Sequence, residues 1–468
     1  MTLFRHHLAA LAAGTLLALP VPAKAQSFDA LAPGVREFVA VRETAFAVTG
    51  VRLIDGTGSP AREGMTVVVR DGRIVEVGPS ARVQIPAGIR VVDGRGQTLL
   101  PGLVMLHEHL FYPAGALRYN TNQNSFPPLY LAGGVTTMRT GGSMETYTDL
   151  RVAREIEAGR AVGPHMDVTG PYLEGEGGFA WGLPALKTPQ EARDHVNFWA
   201  DRGATSFKAY NLIDRATLEA GIGAAHARGL KVTGHLCSIT YREAAELGID
   251  NLEHGFYAAT DFVAGKEPDR CPRGANQSLQ PITPESPEFR SLVATLVEHG
   301  VALTSTLTVF ERSAGDRPPP PEGARAAMLP EIREMVMQRD SARRQAGTPA
   351  TAAFLRKMMA LEKAFYDAGG LLLVGTDPTG AGDVVPGYAN QRALQLLMEM
   401  GLTAEQAVAV ATRNGAVYLG RDGEIGTVEP GKRADLVLLE GNPASDPAAF
   451  TRMTLVFKDG VGYDSAKL

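Results

Sequence analysis

The sequence predicts an α/β fold, a (β/α)8 TIM-like barrel with a small β-sandwich domain built from both ends of the mature chain. Two observations predict it. Between about residues 100 and 420, short apolar runs alternate with helix-like segments, the pattern of parallel strands buried on both faces. Near the start, β-branched runs are broken by Asp-Gly pairs, and that grammar returns only at the far end. Composition agrees: 468 residues, 44% hydrophobic, with 46 Lys and Arg against 51 Asp and Glu, argue against disorder. A net charge of -5 without a basic cluster argues against a nucleic-acid or anionic-membrane surface, so the expected partner is a small molecule.

Residues 1–25 read as a signal peptide, with Arg5 before an apolar run from Leu8 to Val21 and Ala23-Lys24-Ala25 as the cleavage site. Export to the periplasm, or secretion, is expected. The apolar run is shorter than the roughly 20 residues that span a bilayer, and no later stretch of that length lacks charge, so no membrane span is expected. Only Cys237 and Cys271 remain as thiols; they either pair or stay as two free, partly buried thiols.

Residues 26–99 form the N-terminal part of the sandwich, with Val67 to Val69, Arg73 to Val77 and Arg90 to Val92 set around Asp71-Gly72 and Asp93-Gly94. The barrel takes residues 100–420. Its eight candidate strands lie near Gly102–Met105, Thr136–Arg139, Met166–Thr169, Ser206–Lys208, Lys231–Thr233, Asn251–Glu253, Ala302–Ser305 and Leu371–Thr376. The absence of a Gly-x-Gly-x-x-Gly turn after a strand weakens a dinucleotide-binding open sheet. Residues 421–468 return to the sandwich with Ala434 to Leu439 and Leu455 to Gly460. Two irregular excursions, Tyr257 to Glu288 and Ala314 to Pro330, follow strands and either shape the entrance to a site or are ordinary surface loops.

The chemistry sits at the strand ends. An apolar strand from Leu99 ends in His107-Glu108-His109; residues i and i+2 share a face, so both imidazoles aim at one point while Glu108 faces away. Two imidazoles on one face begin a zinc site. Lys208, His235, His254 and Asp377 end or follow later strands, where a barrel delivers its functional groups. Each alone has a plain structural explanation, a snorkelling lysine, a satisfied core histidine or a helix cap, but six together would be six coincidences.

Pro101-Gly102-Leu103 leading to His107-x-His109, Phe207-Lys208-Ala209-Tyr210, Gly234-His235, Leu252-Glu253-His254-Gly255 and Gly375-Thr376-Asp377 fall in one order along the chain. With the tail Gly426 to Val437, they resemble the amidohydrolase superfamily, in particular its imidazolonepropionase-like and prolidase-like binuclear metallopeptidase branch. The resemblance implies two divalent metal ions, usually zinc, with His107, His109 and Asp377 on the buried ion and His235 and His254 on the outer one. It also implies that Lys208, carboxylated by carbon dioxide, bridges the pair. One departure is visible, because Met105 stands where the family usually has Asp two residues before the first His.

The implied reaction is cleavage of an amide bond in dipeptides or N-acyl amino acids by a metal-bridging hydroxide, with Asp377 shuttling the proton and Tyr210 donating to the oxyanion. The same centre also suits a lactone, ester, carbamate or cyclic amide. A deaminase fits less well, because Ser238 stands where that branch carries a Glu three residues after the fifth-strand His. A non-catalytic binding protein on this fold would be expected to lack several of the six groups. Arg139, ending the second strand, is either a clamp for a substrate carboxylate or a structural ion pair. Tyr172, Trp181 and Tyr257 lie on loops that would wall the site, and Glu174 and Glu176 would favour a basic side chain. A homo-oligomer is compatible with the sequence.

Overall fold

The computed structural model describes residues 27–113, 119–178, 183–346, 349–379 and 383–468. The expected leader and Trp181 lie outside them. Among the described residues, no helix is long and apolar enough to cross a membrane.

Strands from the two ends of the chain share one nine-stranded sheet. Val39–Val41, Ala45–Leu53, Arg62–Arg70, Arg73–Pro79, Arg90–Asp93 and Gln97–Pro101 come from the first part, and Leu436–Glu440, Met453–Lys458 and Val461–Asp464 from the last. The seam is antiparallel, pairing Pro101 with Leu436 and Leu99 with Leu438. Asp71-Gly72 and Asp459-Gly460 both turn with positive φ (49° and 73°, 53° and 82°), which an Asp-Gly hairpin turn requires. Asp93-Gly94 does not reverse the chain; it joins two strands that both run parallel to Ala45–Leu53. In place of two separate layers, the hydrogen-bonded ladder is continuous and branches at Ala45–Leu53. It curls over its own core, so that the Phe46 and Phe457 rings stack with centroids 4.9 Å apart.

The middle of the chain supplies eight parallel strands: β1 (Leu103–Glu108), β2 (Val135–Thr140), β3 (His165–Asp167), β4 (Ser206–Ala209), β5 (Lys231–Gly234), β6 (Asn251–Glu253), β7 (Ala302–Ser305) and β8 (Leu372–Val374). They pair as β3-β2-β1 and as β4-β5-β6-β7-β8. Isolated parallel bridges, Thr169 with Ser206 and Leu173 with Ala209, link the chain beyond β3 to β4. After β8, the amides of Thr376 and Asp377 donate to His107 O at 3.1 and 3.0 Å, tying that end to β1. Helices between the strands begin at side-chain caps, Thr188 before Pro189–Ala200, Asp214 before Arg215–His226 and Thr240 with Glu243 before Tyr241–Glu246. Their apolar faces pack on strands that are buried throughout, such as Leu103–Glu108 and Val135–Thr140.

Cys237 and Cys271 form a disulfide that joins the turn after β5 to the excursion after β6. In the second excursion, Pro318 to Pro321 line a cavity of about 700 Å³ with Glu311, Arg392, Val384 and Tyr388.

Candidate metal centre

Strand β1 runs through Glu108, three residues beyond the expected end, so the period-two alternation extends to the catalytic rim. His107 is fully buried there. Its Nδ1 lies 2.7 Å from Glu253 Oε2, and its Nε2 lies 3.1 Å from Lys208 Nζ and 3.5 Å from Asp377 Oδ1. Two glycines make room: a Cβ on Gly141 would come within 2.2 Å of the His107 ring, and one on Gly375 within 2.4 Å of its Cβ. His109 Nδ1 lies 3.1 Å from Gly142 O, and its Nε2 3.2 Å from Asp377 Oδ1. His254, at φ 66° where the chain leaves β6, engages Thr306 Oγ1 through Nδ1 at 2.8 Å. An engaged Nδ1 fixes the ring and leaves Nε2 as a ligand atom.

The rings of His107 and His254 lie 4.7 Å apart, and those of His254 and His235 4.4 Å apart. His235 Nδ1 is buried without a hydrogen-bond partner. Lys208 Nζ donates to Gly141 O at 2.7 Å. The structure therefore brings His107, His109, Lys208, His235, His254 and Asp377 together, and ligand atoms of His107, His254 and Asp377 lie within 4.8 Å of one another.

Burial lowers the pKa of His109 to about 4 and, with the Lys208 charge adding to it, that of His235 to about 3. Burial and the neighbouring imidazoles also hold His254 well below the usual range. These rings keep their lone pairs at neutral pH. Burial brings Lys208 down to about 8. Burial alone would raise Asp377, but His107, His109 and His254 outweigh it and hold the carboxyl well below its usual range. Burial and the Lys208 charge alone would lower His107, but Glu253 and Asp377 outweigh them and raise it. Neutral imidazoles at His109, His235 and His254, an ionised carboxylate and an orphaned ring nitrogen make a donor set that fits divalent cations.

Arg139 is not a substrate clamp. It is fully buried beneath the site, its Nη2 donating to Glu253 Oε1 at 2.5 Å, its Nε to Leu106 O and its Nη1 to the Tyr418 hydroxyl. A guanidinium shut below the rim meets no substrate, so the structural ion pair is what β2 provides. Tyr172 and Tyr210 flank the amine, each ring centroid 5.7 Å from Lys208 Nζ, and Tyr210 lies 4.8 Å from the His235 ring. Tyr257 stacks on Phe310 at 4.4 Å, and Phe310 in turn lies 6.0 Å from His254. Glu174 is buried and accepts from the amides of Gly175 and Leu212, while Glu176 pairs with Lys187 in solvent, so neither is shown facing a substrate.

Sequence reasoning missed Glu253, Thr306, Phe310 and Phe111, whose ring lies 4.4 Å from His109. The signal for Glu253 was present: Asn251 and Glu253 share a face of β6, and Asn251 Nδ2 bonds both Glu253 and Thr304 within the sheet. Met105 is buried in the core, and it is Glu253, at the end of β6, that supports His107.

The profile of the amidohydrolase family matches residues 98–461. The imidazolonepropionase of Rubrobacter xylanophilus is 26% identical over 395 residues, covering 80% of this chain and 84% of that protein. Among solved structures, a prolidase candidate from Bifidobacterium longum superposes with a TM-score of 0.66 at 25% identity, over 89% of this chain and 94% of that one. A Xaa-Pro dipeptidase with methionine in its active site superposes with a TM-score of 0.67 at 19% identity, over 90% and 100%. With the matched profile spanning strands, metal centre and returning sheet alike, the chain is a hydrolase acting on carbon–nitrogen bonds and belongs to the amidohydrolase family.

Proposed function

We propose that this protein is an exported binuclear metallopeptidase that cleaves the amide bond of dipeptides or N-acyl amino acids. The observation that carries the reading is the convergence of four histidines, Lys208 and Asp377 at the ends of five parallel strands. The imidazolonepropionase relative and the prolidase-like neighbours support it. In this reading the two parallel sheets close into one (β/α)8 barrel, residues 1–25 are removed on export, and the two ends of the mature chain form its companion domain.

His107, His109 and Asp377 would hold one divalent cation, zinc by preference for imidazole, and His235 and His254 the second, with carboxylated Lys208 between them. When bound, the two cations supply an acidified water and polarise the scissile carbonyl. A carbamate forms when a neutral amine adds to carbon dioxide and releases one proton, and burial lowers Lys208 enough to make the neutral amine accessible. Asp377, held ionised, accepts a proton at its carboxylate during attack and returns it to the leaving amine. Tyr210, beside His235, donates a hydrogen bond from its hydroxyl to the oxyanion that develops on the carbonyl. Phe111 over His109, and Phe310 with Tyr257 over His254, give the site aromatic walls, which favours apolar side chains beside the scissile bond.

The test is to express residues 26–468, measure metal per chain by elemental analysis, and screen a dipeptide and N-acyl amino acid library with and without added zinc. About two metals per chain and metal-dependent amide cleavage are expected. A preparation that binds no metal in excess zinc and cleaves no amide overturns the proposal.

A further inference from the structure

Glu108, the last residue of β1 and flanked by His107 and His109, points away from the candidate metal centre and yet is fully buried. Its carboxylate reaches across to the segment after β8. Oε1 accepts from the Thr376 amide at 3.1 Å and from Asn390 Nδ2 at 2.9 Å, and Oε2 accepts from the Thr376 hydroxyl. Asn390 is itself held, its Oδ1 accepting from the Gly387 amide at 2.9 Å at the start of the helix Tyr388–Glu399. The Thr376 carbonyl accepts from Thr308 Oγ1 at 2.9 Å. Thr376 is thus gripped at its amide, hydroxyl and carbonyl.

The next residue is Asp377, which sits at φ 50°, in the left-handed region that Asp enters more readily than most residues with a side chain. Its amide donates to His107 O at 3.0 Å. The grip on Thr376 and this bond together fix where the Asp377 carboxylate lies relative to His107 and His109.

We propose that Glu108 is a positioning residue for Asp377, acting through Thr376 to hold the carboxylate in the geometry that metal binding and proton transfer require. The inference rests on the reading of Asp377 given above. One strand thereby presents ligands from one face and orients a third ligand from the other. A buried carboxyl group is suited to the task because its two oxygens can hold several hydrogen-bonding partners at once. A role confined to joining β8 to β1 would show as lost stability alone.

The test uses the metal-loaded enzyme and four forms: the parent, Glu108→Ala, Glu108→Gln and Thr376→Val. Zinc affinity is read by chelator competition, kcat and KM on an amide substrate, and stability by thermal melting. Glu108→Ala is expected to weaken zinc binding or lower kcat by about 10–100-fold, with KM changing by less than about threefold. Thr376→Val, which removes only the hydroxyl, is expected to show a smaller loss of the same kind at nearly unchanged melting temperature. Glu108→Gln keeps an acceptor for the Thr376 amide and is expected to recover most of the loss. Should Glu108→Ala fail to fold, Thr376→Val decides. If Thr376→Val and any folded Glu108→Ala match the parent in affinity and kcat, the inference is wrong while the parent's own metal-dependent cleavage leaves the proposed function standing. If the parent binds no zinc, the proposed function fails and the inference falls with it.

Discussion

Arg139 Nη2 donates to Glu253 Oε1 at 2.5 Å, and the other oxygen of the same carboxylate lies 2.7 Å from His107 Nδ1. The guanidinium therefore acts on the site through two linked contacts. Burial alone would raise Glu253, but His107 and Arg139 outweigh it and hold the carboxyl well below its usual range. Arg139→Ala leaves that charge buried and half-paired, at a cost of about 3–5 kcal/mol. The expected outcome is a large fall in melting temperature and an equal loss of activity on substrates with free and with blocked carboxylates. A rise in KM confined to free carboxylates contradicts this.

Lys208 carries a prediction in two parts. Lys208→Ala is expected to lower bound metal and to reduce kcat by about 100-fold or more, with partial recovery in a short-chain carboxylic acid that fills the vacated place. The metal-free protein adds a pH signature. A folded pKa of about 8 against an ordinary 10.5 means that between these values the unfolded chain holds a proton the folded chain has released. Stability therefore rises with pH across that window, by about 3 kcal/mol in all. Urea unfolding of the metal-free parent at pH 7.5 and pH 10 is expected to show this rise relative to Lys208→Met; parallel behaviour of the two overturns it.

Glu362, on the helix Pro349–Asp367, is buried with neither carboxylate oxygen satisfied, and that burial pushes its pKa up to about 8. Here the sign reverses. Between the ordinary 4.5 and 8 the folded protein retains a proton that the unfolded chain has lost, so stability falls as pH rises. Glu362→Gln keeps the shape and removes the titration. It is expected to match the parent near pH 5 and to exceed it by about 2–4 kcal/mol at pH 8. Equal pH dependence in denaturant titrations of the two proteins would contradict it.

The Cys237–Cys271 bridge spans 34 residues and starts two residues after His235. Closing a loop of that length is worth about 2–4 kcal/mol. The double variant Cys237→Ser, Cys271→Ser is expected to lose stability in that range and to raise KM more than it lowers kcat, because the tethered excursion borders the His254 side of the site. Unchanged KM and melting temperature would show that Lys266 Nζ, which donates to Ser238 O at 2.6 Å, and the other contacts of the excursion suffice without the bridge.

The strands were legible because each is a short apolar run with few rivals nearby, and all eight expected runs coincide with β1 to β8 to within a few residues. The six convergent groups were legible for a related reason, since a side chain at a strand end has only one rim to face. Contacts between strands far apart in sequence were not. Nothing near Arg139 announces that its partner is Glu253, 114 residues on, and choosing between clamp and ion pair required that contact. Glu108 was read as facing away from the point where His107 and His109 converge, but its bonds to Thr376 and Asn390 depend on how β1 meets the far end of the chain. The pairing of the two cysteines was open for the same reason, and the continuity of the nine-stranded sheet rests on a seam between residues 97–101 and 436–440 that periodicity does not reveal.

That seam bears on how the protein is made. Gln97–Pro101 runs almost directly into β1 and its histidines, yet its neighbour Leu436–Glu440 is synthesised only after most of the chain. A nascent chain can form the early hairpins, but it must leave the strand beside the metal ligands as an exposed edge until the final segment arrives. Completion of synthesis, rather than emergence of the parallel strands, is therefore the event that closes this seam, and a chain stopped before Leu436 keeps that edge unpaired.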